Sequence, residues 1–334
     1  MRNWRFYRKK TFIFAIMFLL YSSVGLWNGG TSFASTGFYV SGTHLKDANG
    51  NTFVMRGVNN PHIWFDVQAY QALDAIAATK SNTVRIVWQT NGSAQRLGEI
   101  IERAKQLKLI CVVELHDVTG INDANRLNDM ARYFAKPAVK KILADNQKYV
   151  LVNIANEWGD HNLSDAAWRD AYKTAITTLR NAGLPNTIVI DGSGWGQYAS
   201  PIKAHGVELL QHDPNHNLLF SVHMYANYND SSKIGSELQA IKDKGLAVIV
   251  GEFGYNYNNG NNNLGTTMNP YVVMKQSQAK GIGYLAWSWT GNNSENAWLN
   301  LVNSSDWKTP TAWGNTVLND ANGIKNTSKT ASVY

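Results

Sequence analysis

From residue 53 onward the chain alternates between two kinds of hydrophobic pattern. Short runs of apolar and β-branched residues are each followed by a longer segment in which apolar residues recur with helical spacing. The runs that predict strands cover residues 53–59, 83–88, 109–117, 150–158, 187–192, 218–225, 247–254 and 283–289. Helical segments between them include residues 66–79, 94–107, 165–181, 231–243 and 268–279. This alternation predicts an α/β protein with parallel strands joined by crossover helices.

The number of repeats indicates the architecture. Eight strand–helix units in a chain of this length favour a (β/α)8 TIM barrel over an open doubly wound sheet, and no G-x-G-x-x-G follows the first strand. No linker-like segment interrupts the chain, so we expect a single catalytic domain over residues 35–321. Residues 38–53 predict a short N-terminal β-hairpin around Asp47-Ala48-Asn49-Gly50, which closes one end of the barrel. Residues 322–334 are small and polar and are expected to fray.

The first 34 residues follow a different pattern. A basic cluster between Arg2 and Lys10 precedes an apolar stretch over residues 11–26, and small residues follow at Ser32, Ala34 and Ser35. This order is typical of a secretory signal peptide cut after Ala34, and it predicts a secreted, extracellular protein. An uncleaved N-terminal anchor is the alternative, because the apolar stretch is barely long enough to cross a thin bilayer.

The net charge limits the kinds of partner that the chain can bind, and the cysteine content limits its disulfides. The formal net charge is +7, but five of the 31 Lys and Arg and no Asp or Glu lie in residues 1–34, which leaves +2 for the rest. A nearly neutral chain with scattered charges indicates no nucleic-acid partner and no membrane surface after signal cleavage. Cys111 is the single cysteine, so no intramolecular disulfide is possible, and its apolar neighbours predict a buried thiol. We expect a monomer without a cofactor.

Polar side chains stand where the predicted strands end, which is where TIM barrels carry their chemistry. Because side chains alternate along a strand, Glu114 and His116 share a face, His223 and Tyr225 share a face, and Val248, Val250 and Glu252 share a face. We expect one face of each strand to point at the barrel mouth. The residues at these ends are Arg85, His116, Asn156, Glu157, His223, Tyr225, Glu252 and Trp287.

Two of these strand-end residues are carboxylates that can face each other across the mouth. A buried carboxylate is costly unless it is paired, solvated or functional, and Arg85 offers a structural ion pair as one explanation. The other explanation is glycoside hydrolysis, in which a retaining enzyme holds two carboxyl groups about 5 to 5.5 Å apart. The polar residues near Glu157 and Glu252 favour glycoside hydrolysis over a structural ion pair.

The successive strand-end motifs resemble those of glycoside hydrolase family 5. They are the strand of Arg85, Leu115-His116-Asp117, Asn156-Glu157, His223-Met224-Tyr225, Gly251-Glu252-Phe253-Gly254 and Trp287-Ser288-Trp289, in that order. Within that family the chain is most similar to bacterial secreted endo-β-1,4-mannanases, judged from segments such as Gly57-Val58-Asn59-Asn60-Pro61-His62 and Ala155-Asn156-Glu157-Trp158-Gly159.

The resemblance implies a role for each matching residue. Glu157 would be the acid/base, in the drier setting of the two carboxyls, and Glu252 the nucleophile held by Arg85 and Tyr225. Asn156 would contact the sugar 2-hydroxyl, while His116 and His223 would contact sugar or orient the two carboxyls. Trp287 would form the floor beneath the sugar that is attacked. The implied substrate is a β-linked polysaccharide, namely mannan, glucomannan or galactomannan.

Ten of the twelve tryptophans follow residue 34, and several stand on strand ends or in the loops after them. A pyranose packs its C–H face on an indole, so Trp64 and Trp195 predict subsites that flank Trp287. Trp158 and Trp298 stand in similar positions, whereas Trp168, Trp307 and Trp313 are expected to pack against the rim.

Three other functions remain as alternatives. An endo-β-1,4-glucanase would use the same two carboxylates. A non-catalytic carbohydrate-binding barrel is less favoured, because both Glu157 and Glu252 and their supporting residues are present. A metal-dependent barrel hydrolase would be expected to offer a His-x-His pair on the first strand, which instead ends Asn59-Asn60-Pro61-His62, so we predict no metal ligands.

Overall fold

The computed structural model describes Met1 and residues 36–334. The predicted signal peptide lies outside these residues. Within them, no helix has the length and the apolar character that crossing a membrane requires.

Eight parallel strands close into a barrel, as the sequence predicts. They are β3 (Arg56–Asn60), β4 (Thr83–Trp88), β5 (Ile110–Leu115), β6 (Val150–Asn153), β7 (Ile188–Asp191), β8 (Leu218–Met224), β9 (Val248–Phe253) and β10 (Gly283–Ala286). Each strand pairs with the next along the chain, and β10 pairs with β3 to complete the ring. The protein is therefore a (β/α)8 TIM barrel.

Helices connect the strands on the outside. They are α1 (Asp66–Ala78), α2 (Ala94–Gln106), α3 (Ala124–Ala135), α4 (Pro137–Asp145), α5 (Asp165–Asn181), α6 (Ser200–His212), α7 (Ser231–Lys242), α8 (Pro270–Lys280), α9 (Ala312–Asn319) and α10 (Ile324–Thr327). Several begin at residues that suit a helix start: the side chains of Ser93, Ser164 and Asn269 accept backbone N–H groups of the first turn. Such caps satisfy donors that the helix itself leaves free.

The two faces of each strand have different neighbours, which separates an outer core from the barrel interior. On β4, Val84, Ile86 and Trp88 pack against the helices, while Arg85 points inward to the other strands. The lower interior is apolar, with Ile110, Val112, Leu151, Val189, Leu219, Ile249 and Leu285 in one cluster. The upper interior is polar. Because every second side chain of a strand points inward, the polar residues near the strand ends lie at the barrel mouth. Cys111 lies on the outer face and is fully buried, and burial raises the pKa of its thiol to about 12.

The N-terminal hairpin is present, but its turn lies earlier than predicted. β1 (Tyr39–Ser41) and β2 (His44–Lys46) are antiparallel and turn at Gly42, whose φ is +56°. The predicted turn at Asp47–Gly50 is a second turn, after which Thr52 pairs with Lys46. The prediction merged two turns into one because both carry glycine. The hairpin and the segment after it cover the lower interior with Phe38, Leu45 and Phe53, which confirms that it plugs one end of the barrel.

The expectation that residues 322–334 fray is wrong. Ser332 donates to Asp47 from its N–H (2.9 Å) and its hydroxyl (2.6 Å), and the Tyr334 hydroxyl donates to the Leu109 carbonyl (2.8 Å). Ala331 is 4% exposed and belongs to the lower interior cluster, and the Tyr334 ring lies 5.2 Å from that of Tyr149. The segment is held because it covers apolar surface that the barrel end would otherwise expose.

The predicted alternation on β9 fails in one place, with a consequence for the site. Val248 and Val250 pack in the outer core, yet Glu252 points into the mouth, so the three do not share a face. The register shifts here: Val222 pairs with Val250, but the next pair is His223 with Glu252, which leaves Gly251 as one extra residue on β9. Such a β-bulge re-aims the side chain that follows it.

We expect Gly251→Ala to reduce the free energy of unfolding by about 1 to 3 kcal/mol. A Cβ at this position would lie 2.2 Å from the Ser221 hydroxyl and 3.1 Å from Nε2 of His223, both buried. Chemical denaturation measures the change.

Gly98→Ala on α2 is the matched control. A Cβ there meets only Ile142, at 3.5 Å, so the substitution is expected to stabilise the protein by about 0.5 to 1 kcal/mol through better helix propensity. A Gly251→Ala protein as stable and active as wild type would contradict the view that the bulge requires glycine.

Candidate active site

The residues singled out from the sequence converge at the C-terminal end of the barrel. A cleft of about 710 Å³ opens there, and eight of the ten line it: Trp64, His116, Asn156, Glu157, Trp195, Tyr225, Glu252 and Trp287. The other two, Arg85 and His223, lie beneath the cleft and contact its carboxylates. Gln197 and Asn292 also line it and were not expected from the sequence. Each lies in a loop several residues beyond the end of its strand, β7 or β10, so the strand-end pattern did not mark it as a site residue.

Glu252 is held by a donor on each oxygen. Nη1 of Arg85 donates to Oε1 (2.8 Å), and the Tyr225 hydroxyl donates to Oε2 (2.8 Å). Burial raises the pKa of the Glu252 carboxyl, whereas the positive charges of His223 and Arg85 act in the opposite direction. Burial also raises the pKa of Tyr225 well above its ordinary value, so this hydroxyl remains a donor. The two donors fix the carboxylate and favour its charged form.

Arg85 organises the polar layer of the interior. It is 1% exposed, and its ion-pair partners besides Glu252 are Glu114 (3.8 Å) and Asp191 (3.6 Å). Burial alone would lower the pKa of Arg85, but the surrounding carboxylates outweigh it and raise the pKa. Three asparagine side chains accept its remaining N–H groups: Asn59, Asn153 and Asn156. A buried guanidinium is tolerable when every donor is occupied in this way.

Glu157 follows β6 in a loop and has left-handed backbone, with φ at +49°. Its N–H donates to Oδ2 of Asp191 (3.1 Å), and its Oε1 accepts from Nδ1 of His223 (2.7 Å). The expectation that Glu157 is the drier carboxyl is wrong: 13% of its side chain is exposed, compared with 4% for Glu252. The difference arises because Glu157 lies in a loop at the rim, while Glu252 lies inside the barrel on β9, next to its last residue.

His223 lies between the two carboxyls. Its Nδ1 is 3.6 Å from Oε2 of Glu252, and its Nε2 is 3.5 Å from Oδ2 of Asp191. Burial alone would lower the pKa of His223, but the negative charges of Glu252 and Asp191 raise it to about 10. The imidazole is therefore protonated at neutral pH, and its Nδ1–H donates to Glu157.

Asp191 also belongs to the polar layer of the site, since it contacts Arg85 and His223, although it is not among the residues predicted from the sequence. It ends β7 and is fully buried, and its backbone carbonyl accepts from the Trp168 indole (3.1 Å). Burial alone would raise the pKa of Asp191, but the charges of His223 and Arg85 lower it to about 2. The signal was present, because Asp191 closes the run Ile188-Val189-Ile190 as Glu252 closes its own.

Three aromatic rings form one wall of the cleft. His116 stacks on Trp287 with ring centroids 5.7 Å apart and planes at 23°, and Trp64 meets His116 edge-on at 5.1 Å. Nδ1 of His116 donates to Glu114 (3.0 Å), as their shared face predicts. Burial alone would lower the pKa of His116, but the Glu114 carboxylate raises it. Flat rings beside polar groups suit the C–H face of a sugar.

The remaining tryptophans separate into packing and surface roles. Trp195 lines the opposite part of the cleft, with its ring 4.5 Å from that of His161. Trp158 is fully buried and donates to the Asp123 carbonyl, so the suggestion that its position suits sugar stacking is wrong. Trp298 lies in a separate neighbouring cleft. Trp168, Trp307 and Trp313 pack in the outer core or against it, as predicted, and the same cluster contains Trp88, Trp158 and Trp289.

The spacing of the two carboxyls limits the chemistry. Oxygens of Glu157 and Glu252 lie within 4.8 Å of each other and of a His223 nitrogen. This is close to the separation of about 5 to 5.5 Å for a retaining pair, and shorter than the 6.5 Å or more that an inverting pair needs to admit water. The same three residues form a group that could geometrically hold a cation. A cation there would compete with the Arg85 guanidinium and the His223 proton, so the donor set suits a sugar better.

Comparison with known proteins agrees with this geometry. The family described as "Cellulase (glycosyl hydrolase family 5)" matches residues 46–293. A mannan endo-1,4-beta-mannosidase of Salipaludibacillus agaradhaerens is 39% identical over 89% of this chain and 96% of its own length. One of Cellvibrio japonicus (strain Ueda107) is 37% identical over 90% of this chain and 70% of its own. The crystal structure of a beta-mannanase from Streptomyces thermolilacinus with mannohexaose superposes with a TM-score of 0.81, at 35% identity, over 89% of this chain and 98% of that one.

Proposed function

We propose, given that the chain belongs to glycosyl hydrolase family 5, that it is a secreted, monomeric endo-β-1,4-mannanase with a retaining mechanism. It would cut internal β-1,4-mannosidic bonds of mannan, glucomannan or galactomannan. The observation that carries the mechanism is the pair of carboxyls within 4.8 Å, one fixed by two donors and the other with an oxygen toward the cleft.

In this proposal Glu252 is the nucleophile. Arg85 and Tyr225 hold its two oxygens, so the carboxylate needs little reorganisation before it attacks the anomeric carbon. Both donors stay in place when the Glu252 carboxylate loses its charge on forming the C–O bond to the sugar. They stabilise the carboxylate again when water hydrolyses the glycosyl–enzyme.

Glu157 is the acid and then the base. His223 occupies Oε1, which leaves Oε2 to give a proton to the departing glycosidic oxygen and later to take one from water. The greater exposure of Glu157 suits the second step, because water must reach it. Asn156 lines the cleft beside Glu157, where it can contact the sugar 2-hydroxyl, and Trp287 would lie beneath the same sugar.

The support for mannan over cellulose as the substrate comes from the similar proteins and not from the two carboxyls. The catalytic pair would serve an endo-β-1,4-glucanase equally well, since the two polymers differ at the 2-hydroxyl. The mannan-acting relatives reach 37 to 39% identity over about nine-tenths of the chain, which supports mannan as the substrate.

A hydrolysis assay on mannan, glucomannan and soluble cellulose tests the proposal, with the anomeric configuration of the first products followed by NMR. We expect mannan to be cut fastest and the first product to keep the β configuration. Early α product would overturn the retaining mechanism, and cleavage of cellulose with mannan left intact would overturn the substrate.

A further inference from the structure

Glu114 is a fully buried carboxylate to which the reaction proposed above gives no role. It lies on β5 with 0% of its side chain exposed, beneath the cleft and not among the residues that line it. Within residues 36–334, its Oε2 has no hydrogen-bond partner. A carboxylate is costly to bury without a full set of donors, which indicates that Glu114 acts on a neighbour.

The neighbour that Glu114 contacts most closely is His116. Oε1 of Glu114 accepts from Nδ1 of His116 at 3.0 Å, and this is the one hydrogen bond of the Glu114 side chain within the described part of the chain. Nη1 of Arg85 is 3.8 Å away, beyond hydrogen-bond distance, because it donates to Glu252 and Asn59. Neutralising Arg85 therefore does not account for Glu114.

The hydrogen bond determines which atom of His116 a ligand meets. A carboxylate only accepts, so the hydrogen lies on Nδ1 and Nε2 is directed away from Glu114. Nδ2 of Asn156 is 3.5 Å from Nε2, longer than an ordinary hydrogen bond, and it already donates to the Thr119 hydroxyl at 2.9 Å. Because His116 lines the cleft, Nε2 remains available to a ligand there.

The aromatic neighbours of His116 fix the plane of its ring but not the direction in which the ring faces. Trp287 stacks on the imidazole and Trp64 meets it edge-on. A half-turn about the Cβ–Cγ bond would keep both ring contacts, but it would place Cδ2 against Glu114 and Cε1 where Nε2 now stands. The hydrogen bond to Glu114 is what excludes that second orientation.

The charge of Glu114 also acts on the proton of His116. Burial lowers the pKa of His116, whereas the negative charges of Glu114 and Glu252 raise it above its ordinary value. Arg85 is the other charged group that faces the ring, and it acts in the direction of burial. A protonated imidazole presents Nε2–H as a donor, and hydrogen bonds from charged donors are about twice as strong as neutral ones.

We propose that Glu114 is a positioning residue that acts through His116, holding the imidazole with Nε2–H directed into the cleft as a donor to a hydroxyl of the bound sugar. The proposal rests on the function proposed above, because the sugar belongs to the polysaccharide that is cut there. The role concerns substrate binding and not the chemical step, since Glu157 and Glu252 keep their own donors without Glu114.

Glu114→Gln tests the proposal, because the amide has the same shape and can still accept from Nδ1 but carries no charge. His116 should then lose its proton at a lower pH than in wild type. At a pH between the two pKa values we expect KM for mannan to rise about three- to tenfold, with kcat within twofold of wild type. NMR titration of the His116 Cε1 proton, assigned by its absence from His116→Gln, measures the pKa without substrate.

Glu208→Gln is the matched control. Glu208 is also paired with a histidine, His205 at 3.3 Å, but both lie on α6 away from the cleft. We expect this variant to leave KM and its pH dependence unchanged. Glu114→Asp keeps the charge and should return both KM and the pKa of His116 toward wild type.

Three results would overturn the role of Glu114. They are an unmoved pKa of His116 in Glu114→Gln, an unchanged KM at every pH, and a loss confined to kcat. Wild type alone gives a further test: a pKa of His116 at or below about 6.5, or a neutral ring with its proton on Nε2, contradicts the proposal. Failure of wild type to cut mannan would instead overturn the proposed function, on which the NMR titration does not depend.

Discussion

Replacing Glu252 with glutamine is expected to lower kcat on mannan by about 10⁴-fold or more, because the amide cannot attack the anomeric carbon. Arg85 and Tyr225 donate to the carboxylate oxygens, so the loss is chemical while the isosteric side chain keeps its place. Steady-state kinetics measure the change, with circular dichroism as the check on folding. Glu99→Gln on the exposed face of α2 is the control and should leave activity unchanged.

Azide distinguishes the two carboxyl roles. With Glu252→Ala, azide is expected to enter the vacated space and give an α-glycosyl azide from an activated substrate. With Glu157→Ala, it should give the β product, and substrates with good leaving groups should retain much of their rate, because they need no acid. The reverse pattern would contradict the assignment of roles while leaving the glycosidase itself intact.

Asp191→Asn is expected to move the alkaline limb of the kcat/KM profile to lower pH and to reduce kcat by about ten- to a hundredfold. Burial opposes charge on His223, and the carboxylates of Glu252 and Asp191 raise its pKa to about 10. Removing the Asp191 charge lowers that pKa, so His223 loses its proton, and its hydrogen bond to Glu157, at a lower pH. The other charged or titratable neighbours are Arg85, Glu114, His116 and Tyr225, all unchanged in the variant.

The same raised pKa has a consequence for stability. The pKa of His223 is higher in the folded than in the unfolded protein. Its contribution to the free energy of unfolding is therefore fully present below about pH 6.5 and is lost as the pH rises toward 10. Asp191, whose pKa is lowered on folding, contributes in the opposite pH range. Its contribution to the free energy of unfolding is present above about pH 4 and is lost as the pH falls through about 2. The variant should therefore be most destabilised, relative to wild type, at intermediate pH.

Asp213→Asn is the matched control for this experiment. Asp213 is another fully buried aspartate, which follows α6 and pairs with Arg180 at 2.8 Å. We expect the control to lose stability without any displacement of the pH–rate profile. A profile unmoved in Asp191→Asn, or moved equally in both variants, would show that Asp191 is purely structural. An unchanged KM with lowered kcat would agree with a positioning role.

The hydrophobic pattern was sufficient for the fold because a TIM barrel repeats one unit. A short apolar run marks each strand, and helical spacing marks helices such as α1, α2, α5, α7 and α8; eight such units predict a closed barrel. The same pattern pointed to Glu157 and Glu252, but it extended the strand before Glu157 too far, since β6 ends at Asn153, and it gave the wrong reason for Glu252. Alternation would have turned it toward the helices, and the extra residue Gly251 turns it inward. A bulge depends on pairing between strands, which no single strand sequence reveals.

Other errors have the same origin in tertiary contacts. Asp191 was overlooked because a lone aspartate after an apolar run is equally typical of a turn, and only its contacts with His223 and Arg85 distinguish it. Trp158 stands at a predicted strand end, which suggests a sugar-facing ring, yet the ring is fully buried and its indole donates to the Asp123 carbonyl. Which side of a loop a ring occupies depends on its neighbours in space.

The contact between Ser332 and Asp47 brings the last residues of the chain onto the N-terminal hairpin, at the end of the barrel away from both clefts. A protein fused after Tyr334, or a surface tether attached there, would therefore stand behind the barrel and leave the mouth open. A polysaccharide much longer than the molecule can then lie across the face without meeting the attachment. Immobilising the enzyme through this end should preserve its activity on insoluble mannan better than random coupling through surface lysines.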